Sequence, residues 1–277
     1  DQLIAIMYMY SEGKENDDIT TGQFGTGFTS THVLSRTVEI QANVKTSSGK
    51  INRRSITLYR EGDNKDSLIQ GIMKTEREAH DIDEPDEMTR YIYRFSKDKH
   101  GNINKNTITA AESGIREFLG NISRVILFCS RLNSATVRIS DDVEWIKDVH
   151  GTHVFTKTGD IKCDDYTHEV TITESDDKSN ILNERTFITS KNSTSEEPIF
   201  SVDGAIEVDK STKTIIKSTN SVFLTFPLLG FEDFVFPIVI NSNNFSSTVE
   251  RTSLLLGDRD RQAPNNMRIL ISTLVIF

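Results

Sequence analysis

The sequence contains few cysteines, and they do not suggest a metal site. Its two cysteines, Cys129 and Cys163, form no cluster with metal-ligand spacing. Cys129 directly follows the apolar run Ile126-Leu127-Phe128, so we predict a buried thiol there. Such sparing use of cysteine is typical of a reducing compartment, and we therefore expect a cytoplasmic protein with no bound structural metal.

Acidic residues outnumber basic ones, and the chain has no long hydrophobic run. The chain has 32 Lys and Arg residues against 41 Asp and Glu residues, for a formal net charge of −9. A protein that binds nucleic-acid phosphates normally presents a basic face, so nucleic acid is not an expected partner. No apolar run reaches the roughly 18 residues that a membrane helix needs, and we expect no membrane association. No signal peptide is visible either.

The chain is nevertheless long enough for substantial cores. It has 277 residues, of which 36% are hydrophobic, enough for one large or two ordinary domains. Both ends look cut, because Asp1 opens directly onto a helical pattern and Phe277 closes an apolar helix without a cap. We therefore expect a piece of a longer protein.

A glycine-rich segment near the start is the most informative feature. It reads Gly22-Gln23-Phe24-Gly25-Thr26-Gly27-Phe28, and a run that favours a helix follows from Thr29 to Ser35. Glycines let the backbone turn with positive φ and approach a ligand closely. The unpaired N–H groups of a following helix favour phosphate at the same place. The G-x-x-G-x-G spacing differs from dinucleotide-fold and P-loop motifs, and a tight turn without a ligand is the alternative.

The wider string GQFGTGFTSTHVLSRTVEI resembles the second glycine box, with its following helix and strand, of the GHKL ATPases. It is most similar to the heat-shock-90 and sacsin-like branch, in which a His-bearing helix follows the box, as His32 does here. The resemblance implies a Bergerat-type fold that binds ATP with Mg²⁺. It also implies that Gly22–Phe28 wraps the triphosphate as part of a lid.

The same resemblance implies that half of the ATP site lies outside this chain. In the family, the magnesium-binding Asn, the water-activating Glu and the adenine-reading Asp all precede the glycine box. Only residues 1–21 precede Gly22 here, so we expect an N-terminally truncated module with no catalytic residue and no magnesium ligand. ATP hydrolysis is accordingly expected in the intact protein only.

Periodicity predicts the elements that follow the glycine box. Val38, Ile40, Ala42 and Val44 alternate with polar residues, which predicts a half-buried strand. We predict a second strand around residues 56–59, a helix over 66–79 and a third strand over 89–95. Residues 107–134 are predicted to form a long helical region that two glycines bend or split. Shorter strands are predicted beyond it, over 135–140, 143–147, 153–157, 167–173, 183–189, 204–208 and 221–226.

Thr89 opens the third predicted strand and is a second candidate ligand-binding residue. The T-x-x-x-Y pattern from Thr89 to Tyr93 resembles the third box of the superfamily. That resemblance implies a threonine hydroxyl, on a central strand, that hydrogen-bonds near the adenine. The alternative is that Thr89 is simply a good strand former.

A third segment carries a candidate phosphate sensor. Residues 236–251 resemble a part of the heat-shock-90 and sacsin-like middle region in which a strand and an Asn precede a Phe and an Arg. The resemblance implies that Arg251 is a basic residue that senses the γ-phosphate. A surface pair with Glu250 is the alternative, and Arg259 and Arg261 are competing basic residues.

These patterns together predict an α+β fold in two parts. Residues 1–105 are expected to form a partial GHKL ATP-binding domain, a two-layer α/β sandwich. Residues 106–134 would connect it to a strand-rich α/β transducer-like domain over 135–277, truncated at its C-terminus. His150, His153 and His168 do not combine with Cys163 into a zinc site, so no metal site is predicted within the chain.

The leading functional hypothesis is a heat-shock-90-like ATP-binding module that acts as a nucleotide-dependent conformational switch, with protein clients or self-association. The alternative is a non-catalytic module of the same shape that binds or scaffolds within a larger multidomain or defence-type protein. A histidine kinase fits less well, because kinases place dimerisation helices before the ATP domain. The acidic composition gives no support to a DNA-working relative of the gyrase or mismatch-repair type.

Overall fold

The computed structural model describes most of the chain after the glycine-rich segment. The helical pattern that opens at Asp1, the box Gly22–Phe28 and Arg251 lie outside the described residues. The described residues are 34–45, 49–60, 62, 64–83, 88–95, 97, 100–140, 143, 145–146, 148–194, 197–218, 221–228, 230–231, 236–248, 253–257 and 263–273.

Within this part of the chain the protein is α+β and rich in strands. It divides into two compact units, and the boundary falls inside a helix, between Gly114 and Ile115. No helix in the described ranges has both the length and the apolar character needed to cross a bilayer.

The first unit is built on an antiparallel sheet. Four described strands lie in the order β3-β2-β1-β4. The alternation in the sequence puts Val38, Ile40, Ile56 and Leu58 on one face, where they form a buried core. Strand β1 lies where it was predicted, β2 begins earlier than predicted, and the strand predicted over 89–95 is present as the shorter β4. Their bounds are β1 Thr37–Lys45, β2 Ile51–Tyr59, β3 His80–Asp81 and β4 Arg90–Tyr93.

The helix predicted over 66–79 is present and packs along β2. Helix α1 (Lys65–Glu78) begins at Asn64, whose side chain accepts a hydrogen bond from the backbone N–H of Ser67. Gly71 and Thr75 are its buried residues. The larger apolar side chains that suggested the helix remain 41–58% exposed, namely Leu68, Ile69, Ile72 and Met73. The small residues face the sheet because only they allow the helix backbone to approach β2.

The long helix predicted over 107–134 is present but ends earlier. Helix α2 (Lys105–Phe128) runs through Gly114 and Gly120 as one element, so the expectation that they split it is wrong. Beyond Phe128 the chain turns, and Leu132 N donates to the carbonyl oxygen of Cys129 at 3.0 Å. Glycine disfavours the interior of a helix, but α2 continues through both glycines because the apolar residues of its second half pack into a core.

The second unit contains a nine-stranded sheet among the described residues. Eight strands follow the order β12-β11-β13-β9-β8-β7-β6-β5, and β10 pairs with β9. All neighbours are antiparallel except β11 and β13, which are parallel. The bounds are β5 Ser134–Ile139, β6 Gly151–Lys162, β7 Thr167–Ser175, β8 Ile181–Ser193, β9 Ser201–Asp209, β10 Thr214–Ile216, β11 Val222–Leu224, β12 Phe226–Pro227 and β13 Ile238–Asn241.

One predicted strand in this unit is wrong. The described residues between 143 and 147, which are Val143, Trp145 and Ile146, lie in no strand. The chain turns directly after β5, where Val143 N donates to the carbonyl oxygen of Ser140 at 3.1 Å. A turn this tight prevents the apolar residues there from pairing as a strand.

The large sheet buries apolar side chains on both of its faces. On one face, Ile122, Val125 and Ile126 of α2 pack against strand residues that include Phe187 and Ala205. On the other face, Ile269 of helix α3 (Ala263–Thr273) packs into a second core. Cys129 is half-buried against the first core, close to the buried position predicted for it.

Candidate functional site

The chain enters β1 through a buried serine. Ser35 is 2% exposed, and its hydroxyl oxygen lies 2.6 Å from the carbonyl oxygen of Thr37 and 2.8 Å from that of Arg94. The N–H of Thr37 donates to the same hydroxyl at 3.1 Å. The start of β1, which follows the glycine-rich segment in sequence, is therefore fixed against the end of β4.

Thr89 is exposed and directly precedes β4. In the antiparallel register, Gln41 of β1 is opposite Arg90 and Val38 is opposite Tyr93. Thr89 therefore lies beside the later part of β1, whereas the chain from the glycine-rich segment enters at its beginning. Among the described strands β4 pairs only with β1, at the edge of the sheet rather than in its centre. The expected contact between Thr89 and adenine stays a prediction.

A saturated carboxylate lies on the polar face of β1. Glu39 Oε1 accepts hydrogen bonds from Gln41 Nε2 at 2.8 Å and Ser55 Oγ at 2.9 Å, and Oε2 accepts from Arg94 NH1 at 2.6 Å. The bond from Arg94, followed by that from Gln41, lowers the pKa of Glu39. An ionised carboxylate with both oxygens occupied is suited to joining strands β1, β2 and β4, not to accepting a proton.

Arg251 lies outside the described residues, but the chain on both sides of it is described. The Leu255 N–H donates to Ser246 O at 3.0 Å, and the Thr248 N–H donates to Ser253 O at 3.0 Å. Ser247 and Leu254 form an antiparallel bridge between these two bonds. We call residues 246–248 and 253–255 the stem, since they hold the two ends of segment 249–252 together.

Sequence reasoning missed Asn266, which binds this stem. Its side chain is fully buried (0% exposed) on α3. Asn266 Oδ1 accepts from Ser246 N at 2.8 Å, and Nδ2 donates to Ser246 O at 2.8 Å and to Leu255 O at 2.9 Å. The signal was an Asn between Ala263 and Ile269 on the apolar stripe of a helix, a position at which a polar side chain must find buried partners.

A second polar network lies where the parallel strands β11 and β13 end. Thr225 has a left-handed backbone (φ +62°), and its N–H donates to Asn241 Oδ1 at 2.8 Å. Thr225 Oγ1 donates to Asn243 Oδ1 at 2.6 Å, and Asn241 Nδ2 donates to Asp203 at 3.2 Å. Carboxyl ends of parallel strands often bind ligands, but here the amides are occupied in fixing a strained turn.

A buried ionic cluster joins α2 to the large sheet. Glu207 (4% exposed) lies 3.3 Å from Arg124 NH2, and its other contacts are the Nε and NH2 groups of Arg185 at 2.6 and 2.5 Å. Burial, followed by the nearby charge of Arg185, lowers the pKa of Arg124. The sequence signal was the position of Glu207, two residues after Ala205 and therefore on the same face of β9, which packs against α2. The single carboxylate faces both guanidinium groups, so the three residues keep one net positive charge.

The histidines and cysteines form no metal site in the described part of the chain, where no group of three or more His, Cys, Asp or Glu residues could hold an ion. His153 Nδ1 lies 2.8 Å from Glu174, and His168 Nδ1 lies 2.9 Å from Asp160. Hydrogen bonds, first from Lys157 and then from His168, lower the pKa of Asp160. These are cross-strand pairs on β6 and β7.

Among the shallow depressions lined by described residues, two have volumes of about 420 and 410 Å³. The first lies on α1 and includes Met73 and Lys74. The second lies at β8 and β9 and includes Arg185 and Asp209, and hydrogen bonds led by that from Ser211 lower the pKa of Asp209 to about 2. Neither depression is lined by Thr89.

Comparison of the chain with protein-family models, with curated proteins and with solved structures finds no match in any of the three.

Proposed function

We propose that the chain is the ATP-binding module of a heat-shock-90-like GHKL ATPase and works as a nucleotide-dependent conformational switch. In this proposal the first unit belongs to a Bergerat-type sandwich and the second is transducer-like. Hydrolysis would require the intact protein, because the water-activating Glu and the magnesium-binding Asn are expected outside this chain.

The observation that carries the proposal is the direct pairing of β1 with β4. The resemblance implies a strand after the glycine box, and β1 begins at Thr37, shortly after Phe28. It also implies a strand opened by the third-box threonine, and β4 begins directly after Thr89. Two segments that the resemblance connects with one nucleotide are thus followed by neighbouring strands of one sheet, although the antiparallel pairing puts the starts of β1 and β4 at opposite ends of the four paired positions.

The residues present have chemistry that fits a nucleotide. Backbone N–H groups of Gly22, Gly25 and Gly27 would bind the phosphates, since glycines let the chain approach anionic oxygens closely. Thr89 is exposed, so its hydroxyl is accessible to a base edge or a bridging water. Bound ATP with Mg²⁺ would supply the γ-phosphate, whose presence or loss distinguishes the two states of the switch. Arg251 would sense that group.

The test is nucleotide binding by the natural full-length protein, measured by calorimetry. Gly25→Ala and Gly27→Ala should each weaken ATP binding at least about tenfold, because a Cβ prevents close approach of the backbone to phosphate. Gly114→Ala is the matched control: a Cβ there meets no atom within 4 Å, so affinity should not change. Unchanged affinity in both box variants would refute the phosphate-loop assignment.

Hydrolysis distinguishes the two forms of the proposal. Turnover that accompanies binding would identify an ATPase, and it should be lost when the catalytic carboxylate expected outside this chain is replaced. Binding without turnover would identify a non-catalytic module of the same shape.

A further inference from the structure

Helix α1 packs against the sheet through Gly71 and Thr75 and leaves its larger apolar side chains about half uncovered. These side chains are 41–58% exposed, namely Leu68, Ile69, Ile72 and Met73. Because successive residues of a helix are rotated by about 100°, all four lie within about 140° of its circumference, on one side. An apolar surface of this kind is typical of a contact with another helix.

A charge of opposite sign lies at each end of this surface. Lys65, Ile69, Ile72 and Glu76 follow one another at spacings of four, three and four residues. These are the spacings of the contact positions in a coiled coil, and they place the four side chains along one line of the helix. We call these four residues the seam. Leu68 and Met73 flank it on either side.

The two charges of the seam are not used within the first unit, whereas others on α1 are. Lys74 Nζ lies 3.7 Å from the centre of the Tyr59 ring, and the hydroxyl of Tyr59 donates to Glu78 at 2.6 Å. Lys65 and Glu76 are exposed, and neither side chain makes an ion pair or a hydrogen bond with another described residue. Both charges are therefore available to a partner.

We propose that the seam binds the seam of a second copy of this chain, with the two α1 helices antiparallel about a twofold axis. Every contact in such a pair occurs twice. With the axis midway between residues 70 and 71, Ile69 faces Ile72 of the second copy, and Lys65 faces Glu76 at both ends. A parallel pair would instead bring like charges together, so the charges favour the antiparallel orientation.

The contact between the two helices is small. The 14 residues of α1 span about 21 Å, so the pair should bury less than the roughly 1,200 Å² at which stable interfaces begin. We therefore expect a weak dimer whose dissociation constant is about micromolar or higher. This interaction goes beyond the proposed function and does not depend on nucleotide binding.

The experiment measures self-association of the natural full-length protein without nucleotide, by sedimentation velocity over a series of protein concentrations. Ile72→Glu should weaken the association at least about tenfold, because the new carboxylate must lose water against Ile69 of the second copy. The variant should fold, since Ile72 is half exposed and glutamate favours helix. Gln70→Glu adds the same charge to α1 at an exposed position away from the seam and is the control.

Charge reversal tests the orientation. Lys65→Glu puts a carboxylate opposite Glu76 of the second copy, and Glu76→Lys puts an ammonium group opposite Lys65. Each should weaken the association about fivefold or more, because two attractive pairs become repulsive. The double variant should return to within about twofold of the wild type, and so should an equimolar mixture of the two single variants.

Such a recovery reports a contact between copies. Within one helix, residues 65 and 76 are about 16 Å apart, which is beyond the screening length of about 8–10 Å in physiological salt. The mixture also contains the same two chains that associate poorly alone, so misfolding cannot account for a recovery.

Each outcome decides. A wild type that is monomeric at every concentration, or whose association is the same in Ile72→Glu, overturns the proposal, because something other than a second copy then covers α1. Weakened single variants without recovery overturn it as well. Recovery in the mixture but not in the double variant overturns the antiparallel orientation. A failure to bind ATP would refute the proposed function and leave this interaction in place.

Discussion

Arg185 binds both carboxylate oxygens of Glu207 along one edge of its guanidinium group, with Nε donating to Oε1 at 2.6 Å and NH2 donating to Oε2 at 2.5 Å. Its NH1 also donates to the carbonyl oxygen of Gly120 at 3.4 Å, so the pair connects two strands to α2. Arg124 approaches the same carboxylate from the helix. One buried acid thus faces two cations, of which Arg124 is buried and Arg185 is partly buried.

Removal of that acid should strongly destabilise the second unit. Glu207→Gln leaves Arg124 and Arg185 without a counter-charge, and we expect the free energy of unfolding to fall by about 3–5 kcal/mol. Urea unfolding followed by the fluorescence of Trp145, the single tryptophan, measures it. Asp148→Asn removes an acid from a surface pair with Arg116 and should cost at most about 1 kcal/mol. Similar losses in both variants would contradict the prediction.

The close approach of α1 to β2 predicts an unusual response to alanine. A Cβ at Gly71 would lie 2.6 Å from the carbonyl oxygen of Tyr59, which is backbone and cannot move aside freely. Gly71→Ala should therefore destabilise the first unit although alanine favours helix. Gly114→Ala meets no atom within 4 Å and should stabilise α2 by up to about 1 kcal/mol. Hydrogen exchange of the backbone amides of α1 and α2 measures both effects. Amides of α1 that exchange no faster in Gly71→Ala than in the wild type would contradict the prediction.

The carboxylate of Glu39 predicts a pH dependence of stability. The pKa of Glu39 in the folded protein is lowered, chiefly by the hydrogen bond from Arg94. Its contribution to the free energy of unfolding is therefore complete above the ordinary pKa of 4.5. That contribution is lost as the pH falls through the lowered folded value. Glu39→Gln should therefore be less stable than wild type at pH 7, and the gap should narrow at pH 3. Urea unfolding followed by tyrosine circular dichroism measures it.

Glu76→Gln, an exposed change on α1, is the control for that comparison. Its difference from wild type should stay small at both pH values. A gap for Glu39→Gln that widens with acid would mean that the carboxylate does not stabilise the sheet.

The left-handed backbone of Thr225 predicts an inverted preference between glycine and alanine. Both substitutions remove the hydroxyl that donates to Asn243, but only glycine relieves the strain at φ +62°. Thr225→Gly should thus be more stable than Thr225→Ala by about 1 kcal/mol. At exposed Thr214 on β10, where φ is not positive, the order should reverse. Thermal unfolding of the four variants compares the stability of the glycine and alanine variants at each site. If the same variant is the more stable one at both sites, strain at Thr225 is excluded.

The sequence by itself determined the elements whose pattern is local. Val38 to Val44 alternate with period two, and β1 is where that alternation predicts it. The helix predicted over 66–79 is present as α1, Lys65–Glu78. These succeed because hydrogen-bonding and exposure patterns repeat within a few neighbouring residues. The ATP assignment also comes from sequence alone, through the box Gly22–Phe28, Thr89 and Arg251, and it stays a proposal.

Only the tertiary structure decided which residues meet across long separations. In the structure, Gly71 and Thr75 of α1 face the sheet, because the backbone of β2 lies too close for a larger side chain at Gly71. It joined Glu207 to Arg124, a separation of 83 residues, and Asn266 to Ser246 across 20. A lone Glu or Asn at a core-facing position signals a buried partner, but the partner depends on strand register and helix docking. Those are fixed by packing of the whole core, which no local pattern encodes.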